Sequence, residues 1–148
     1  ATGVFGSGID LPVRLAYTWT PEAQFDSGFE SDFEPWGDVE DGDDIPYIPQ
    51  HQAQLAIGLA ANRWQVDVVA NYVDKTRTVA GSGSIPGDES TDEYLIFDLA
   101  ARYSFTDRFS AFTRVDNIFD ETYIVARRPS GARPGKPQSA MLGFRYSF

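Results

Sequence analysis

The chain ends Met141-Leu142-Gly143-Phe144-Arg145-Tyr146-Ser147-Phe148, a run in which apolar and small or polar residues alternate up to the last position. Strand side chains point alternately to opposite sides, so Leu142, Phe144, Tyr146 and Phe148 share one face and Met141, Gly143, Arg145 and Ser147 the other. Terminal residues of soluble domains usually fray, and an apolar face that continues to an aromatic last residue has no use in water. Strands that are apolar outward, polar inward and ringed by aromatics at the interface belong to transmembrane β-barrels.

Five further segments alternate in the same way: residues 13–20, 52–61, 64–73, 95–105 and 109–117, with 140–148 as the sixth. Their apolar sets include Val13, Leu15, Tyr17 and Trp19; Ala53, Leu55, Ile57 and Leu59; Trp64, Val66, Val68, Ala70 and Tyr72; and Leu95, Phe97, Leu99, Ala101 and Tyr103. In residues 109–117, Arg114 and Asp116 claim the polar face and take Phe112 with them. The fold class expected is all-β: an antiparallel transmembrane β-barrel segment of about six up-and-down strands.

The connections alternate between long (21–50, 74–93, 118–139) and short (62–63, 106–108). Transmembrane barrels have long extracellular loops and short periplasmic turns, so this rhythm orients the sheet and puts the carboxy-terminal end in the periplasm. Three loops of this length would be out of place in a compact soluble domain. Trp64, Tyr103, Phe105, Phe109, Tyr146 and Phe148 fall at the short-turn ends, and Tyr17, Trp19, Tyr72 and Tyr94 near the long-loop ends, as two interfacial girdles require. A soluble sandwich with a ring-filled core fits the alternation but neither the loop rhythm nor the girdles.

Composition agrees with a barrel. Aromatics make up 14% of the residues. No apolar run reaches the length of a membrane-spanning helix, and the mean hydropathy of -0.32 is uninformative because alternation averages out. Cysteine is absent, so disulfides and thiolate metal sites are excluded. The chain opens on Ala1 without a signal peptide, as a processed product or a fragment would.

The net charge of -10 is concentrated in one stretch. Between Pro21 and Pro46 stand Glu22, Asp26, Glu30, Asp32, Glu34, Asp38, Glu40, Asp41, Asp43 and Asp44, with no Lys or Arg. Nucleic acid is therefore not an expected partner, since phosphate contact needs a basic stripe. Asp38, Glu40, Asp41, Asp43 and Asp44 surround the flexible Gly42 and could supply the oxygen ligands that Ca²⁺ takes, although their spacing is not that of a helix-loop-helix site. Solvation, repulsion of lipopolysaccharide phosphates, or divalent ions bridging those phosphates to the loop are the other readings.

No catalytic constellation is present. His51 has no second histidine or cysteine with which to hold a transition metal, and no phosphate-binding glycine motif precedes a helix. No resident cofactor is expected. Arg14, Asp67, Asp98, Arg102, Arg114, Asp116 and Arg145 alternate onto the lumen side, where charges of both signs can bridge neighbouring strands.

Val115-Asp116-Asn117-Ile118-Phe119-Asp120-Glu121-Thr122-Tyr123 resembles the Asn-Leu-Phe-Asp stretch near the end of TonB-dependent outer-membrane receptors. Gly131-Ala132-Arg133-Pro134-Gly135-Lys136-Pro137 is similar to the loop before their final strand, and Ile45-Pro46-Tyr47-Ile48-Pro49-Gln50-His51-Gln52 to the return into a descending strand. Within the family the chain looks closest to ferric-dicitrate-type siderophore receptors. The resemblance implies the last six strands of a 22-stranded barrel in the bacterial outer membrane, with the plug and its energy-coupling segment upstream. It implies active import of a ferric siderophore or citrate-like chelate, with contacts to outer-membrane lipid and lipopolysaccharide, to TonB through the plug, and to the barrel-assembly machinery. A small passive or adhesive barrel that recruits residues 1–10, and a soluble lipocalin-like binding module, are the rival classes.

Given that resemblance, Arg127, Arg128, Arg133 and Lys136 are candidates for binding the anionic chelate, because guanidinium groups suit bidentate capture of carboxylates. Pairing with the acidic loop or with lipid A phosphates is the bland alternative. Gly143, Phe144, Tyr146 and Phe148 resemble the signal by which such barrels are recognised for insertion, with Met141 standing where that pattern prefers a polar residue.

Overall fold

The computed structural model describes residues 8–33, 36–129 and 131–148. Ten strands follow in chain order: β1 Val13–Trp19, β2 Phe29–Glu30, β3 Asp38–Val39, β4 His51–Ala60, β5 Trp64–Val73, β6 Tyr94–Ser104, β7 Phe109–Asp116, β8 Ile124–Ala126, β9 Arg133–Pro134 and β10 Ser139–Tyr146. Six form one sheet in the order β1-β4-β5-β6-β7-β10, every pair antiparallel, and the sheet is open, part of a barrel rather than a closed one. The short pairs β2-β3 and β8-β9 decorate the first and third long loops. All six expected strands are present, with ends within two residues of the boundaries that alternation sets. Hairpins as short as β2-β3 and β8-β9 carry too few residues for a periodic signal.

Register keeps the apolar set in rows across the sheet. Val13 pairs with Ile57 and Leu15 with Leu55; Ile57 continues to Val68, Val68 to Leu99, and Leu99 to Val115. A one-residue slip in any strand would turn its whole apolar set to the other face, so this continuity fixes the register throughout. The opposite face carries Gln54, Asn71, Asp67, Asp98, Arg102, Arg114 and Arg145, and Phe112 lies there too, opposite Gly143.

Among the described residues no second layer covers either face. Among the described residues only Val39, Ile96 and Tyr123 are buried hydrophobics, whereas Leu15, Leu142 and Phe144 are 70%, 68% and 65% exposed. A soluble domain buries its sheet under a second layer, and the described residues form none. The soluble lipocalin-like reading therefore fails, and the greasy face is a surface for lipid. The closure imagined for a small barrel finds no support either: Asp10 bonds Ala60, and the Pro12 carbonyl accepts from the Gly58 amide, so residues 10–12 extend β1 along β4 instead of adding a strand. Residues 1–7 lie outside the described residues.

The short-turn girdle is built from two runs of touching rings. Tyr103 meets Phe105 edge-on at 5.0 Å, Phe105 stacks on Phe109 at 5.3 Å, Phe109 on Phe144 at 6.1 Å, and Tyr146 meets Phe148 at 5.5 Å. Amphipathic rings settle at the membrane-water boundary. Tyr94 is a correction to the opposite girdle. It pairs with Val73 on the polar face and packs on Tyr123 at 4.3 Å, because strand β6 begins one residue before the alternating run and so turns Tyr94 inward.

Candidate functional site: the outer loop layer

At the long-loop end the three connections bind one another. The second loop draws its legs together through Thr76 and Thr91, whose hydroxyls lie 3.0 Å apart, and through the Thr78 amide donating to the Glu89 carbonyl at 2.8 Å. Thr76, Arg77, Thr78 and Thr91 are all buried, a polar core in place of an apolar one. The first loop joins the second where the Asp44 amide donates to the Gly81 carbonyl and the Tyr47 amide to the Arg77 carbonyl. The second joins the third through the Asp92 amide to the Ile124 carbonyl, and the Ile124 amide to the Asp92 carboxylate at 2.8 Å.

Tyr47 holds all three. Its phenol oxygen accepts from the Arg127 and Arg128 amides at 3.4 and 3.2 Å, while its own amide is spent on the second loop. Its backbone is left-handed, φ 62°, a conformation that costs a non-glycine residue about 1 kcal/mol or more and persists because both flanking bonds demand it.

Beneath this layer the signature stretch forms a knot. Asp116 accepts from Arg114 Nε at 2.5 Å, from Lys136 Nζ and from Ser139 Oγ, so it joins β7 to the returning third loop and to β10. Arg114 also lies 4.0 Å from Asp98 on β6. Asn117, 1% exposed and left-handed at φ 50°, donates from its side chain to the Glu121 and Lys136 carbonyls, accepts from the Glu121 amide, and gives its own amide to Asp98. Asp120 accepts from the Gln138 amide, and Phe119 meets Phe97 edge-on at 5.4 Å. Of the seven lumen charges expected to bridge strands, Arg114 and Asp98 do so between β7 and β6, Asp116 pairs with Arg114 along β7, and Arg14, Asp67, Arg102 and Arg145 take part in none of the ion pairs among the described residues.

The four candidate cations are not gathered into one site. Lys136 is committed to Asp116, Arg127 donates from Nε to the Ser90 carbonyl at 2.5 Å, and Arg133 stands exposed on β9. Arg128 is half-buried beside Tyr47. Arg77, which alternation could not single out, is the most buried cation: 5% exposed, it donates to the Gly83 carbonyl at 2.7 Å and lies 3.6 Å from Asp44 Oδ2, with no hydrogen bond at Nε. It lines a cavity of about 250 Å³ between the first two loops, with Glu22, Asp44, Ile45, Ile48 and Lys75. That is slightly below the roughly 300 Å³ at which small-molecule pockets begin.

The acidic residues proposed for calcium are turned to different partners. Asp43 turns back to accept from the Glu40 amide at 2.9 Å, Asp44 faces Arg77 and Gln24, and Asp38 sits in the β2-β3 ladder opposite Glu30. Asp41 is exposed, and Glu34 lies outside the described residues. Among the described residues no three potential ligands come together around a point that would hold an ion. His51 sits at the upper edge of the apolar face, its Nδ1 2.9 Å from the Tyr17 hydroxyl.

The profile of the family described as TonB dependent receptor-like, beta-barrel, matches residues 1–118. The ferripyoverdine receptor of Pseudomonas aeruginosa is 38% identical over 60 residues, 40% of this chain and 7% of that protein. The vitamin B12 transporter BtuB of Photobacterium profundum is 32% identical over 73 residues, 49% of this chain and 11% of that one. In fold, the sheet and loops superpose on the closed form of the ferric-catecholate import receptor Fiu from E. coli K12 with a TM-score of 0.72 at 24% identity, covering 93% of this chain and 19% of the receptor. The chain thus spans a small part of each relative's length. A single-layer sheet with one face for lipid, a girdle of rings and a matching family profile lead to one assignment: the chain belongs to the TonB-dependent receptor β-barrel family and forms part of a barrel wall in the bacterial outer membrane.

Proposed function

We propose that this chain supplies wall strands and outer loops to a receptor that imports a ferric siderophore by TonB-dependent active transport. The observation that carries the reading is the outer loop layer itself, in which Tyr47 fastens the first two loops to the arginine-bearing third in a family whose matching relatives include a ferripyoverdine receptor. Arg133, exposed on β9, is the cation best placed to meet an anionic chelate, with Arg127 holding the shape of the loop that presents it. The ferric-dicitrate class is the narrowest form of this proposal.

A corrinoid substrate is the second reading, favoured by the likeness to a vitamin B12 transporter. The deciding experiment places the full-length receptor in a strain lacking its own uptake receptors and follows labelled ferric pyoverdine, a ferric catecholate, ferric citrate and cyanocobalamin. Uptake of a ferric chelate that stops when TonB is deleted is the expected result. Uptake of cyanocobalamin alone moves the assignment to corrinoids, and uptake indifferent to TonB returns it to a passive barrel.

A further inference from the structure

Just above the short-turn girdle, the apolar face carries a dent. Ala101 on β6 and Ala111 and Thr113 on β7 form its floor, with Trp64 and Tyr103 at the girdle end and Leu142 on the β10 side, and together they line a groove of about 310 Å³. Register makes the dent: Ala101 pairs with Thr113 and Ala111 with Tyr103, so small residues of two neighbouring strands fall together, while Leu142 and Phe144 stand beside them on β10. The next row of the same face, Val68-Leu99-Val115, is large throughout and bounds the groove on the side away from the rings. The Thr113 hydroxyl, the one side-chain polar group of the floor, donates to the Met141 carbonyl at 2.9 Å and so leaves no unmet donor there.

We infer that this groove seats one acyl chain of a phospholipid from the periplasmic leaflet, held as a fixed part of the wall rather than exchanged like the surrounding lipid. Continuity with the lipid-facing surface selects the occupant: every floor residue lies on the same face as Leu99 and Phe144, and the groove opens on that face. Position along the strands selects the leaflet. The groove begins at the row of Trp64 and Tyr103, whose polar tips suit the headgroup boundary, and runs from there toward the middle of the wall. Its floor is two strands wide, about 5 Å, and two rows long, about 7 Å, dimensions that admit a hydrocarbon chain and exclude a folded partner. Inside a bilayer, covering apolar surface gains nothing from water, so occupancy rests on dispersion: a gap without partner atoms forfeits the contacts of its lining, and a chain laid into it restores them. The site depends on the placement of this wall in the membrane and is independent of which ligand the receptor carries.

The test places the full-length receptor in phosphatidylethanolamine vesicles doped with the same lipid carrying a diazirine midway along one acyl chain, and maps the adducts by mass spectrometry. Labelling at Trp64, Leu142 and the floor residues should exceed that at Leu15, Leu55 and Leu95, elsewhere on the same face, by about fivefold, the size expected from a handful of added dispersion contacts. Ala101→Phe fills the groove and should abolish the excess, with Ala111→Leu as a second filling variant should the first not fold. In native mass spectra of the detergent-extracted receptor, the parent should retain one phospholipid more than the filling variant. Even labelling across the apolar face, an excess indifferent to filling, or a groove shielded from the probe in a receptor that runs as a dimer would each overturn the inference.

Discussion

The ring of Phe112 on β7 lies across Gly143 on β10, filling the space in which a β-carbon would sit. The two residues are direct partners in the ladder, on the polar face of the sheet. Glycine in a strand normally weakens it, and an aromatic ring laid over the neighbouring glycine restores the packing that the missing side chain would have given. Gly143 therefore has a folding role besides any part in recognition by the assembly machinery.

That pairing gives the first prediction. Gly143→Val must displace the Phe112 ring and should destabilise the folded receptor by about 1–3 kcal/mol, the usual range for overpacking. Gly143→Val/Phe112→Ala should recover most of the loss in urea titrations from phospholipid vesicles. Equal instability with and without the ring would show that the glycine matters for its backbone alone.

On the opposite face, Leu99→Arg and Phe144→Arg should each cost about 2–4 kcal/mol if they fall near the bilayer midplane. The same titrations check it against Ala100→Arg, whose position faces the lumen beside Arg114. A larger loss at Ala100 than at Leu99 would mean that the faces are assigned the wrong way round.

Asn117 should be among the least replaceable polar residues. Asn117→Ala removes its side-chain bonds to Glu121 and Lys136 and leaves a left-handed backbone under an alanine. A loss of about 1–3 kcal/mol is expected from unsatisfied buried groups, with faster hydrogen exchange at the Glu121 amide. Asn117→Gly, which tolerates the backbone, should lose less. Identical exchange in the parent and Asn117→Ala would remove the knot from the account.

The third-loop arginines separate by single replacement. Arg133→Ala should weaken binding of an anionic iron chelate with no change in loop protection, whereas Arg127→Ala should loosen the contact with Ser90 and act through loop shape. Parental binding should fall as salt rises, because exposed charges are screened. Affinity that ignores both the Arg133 replacement and salt would return these residues to a structural or lipopolysaccharide-binding role.

Phe148 stands clear of β10, fully exposed and in edge contact with Tyr146. Deleting it removes one girdle ring and should alter stability in detergent only modestly. Insertion in cells should fall much further, since strand addition at an edge reads alternate side chains. Parental levels of the deletion mutant in outer-membrane fractions would reduce Phe148 to an ordinary girdle aromatic.

The wall was legible in the chain because a lipid-facing sheet obeys a local rule. Each strand from Val13–Trp19 to Ser139–Tyr146 must alternate on its own, whatever its neighbours do; only in Phe109–Asp116 was the pattern ambiguous, and there the register that sets Phe112 opposite Gly143 decides the face. The loop layer follows no such rule. That Asp43 folds onto Glu40 while Asp44 turns to Arg77, that Lys136 is consumed by Asp116, and that Tyr47 reaches Arg127 80 positions away were settled by contacts between segments far apart in the chain. Periodicity records which medium a side chain faces. Which partner satisfies a polar group depends on where three separate loops converge, and that only the tertiary structure decides.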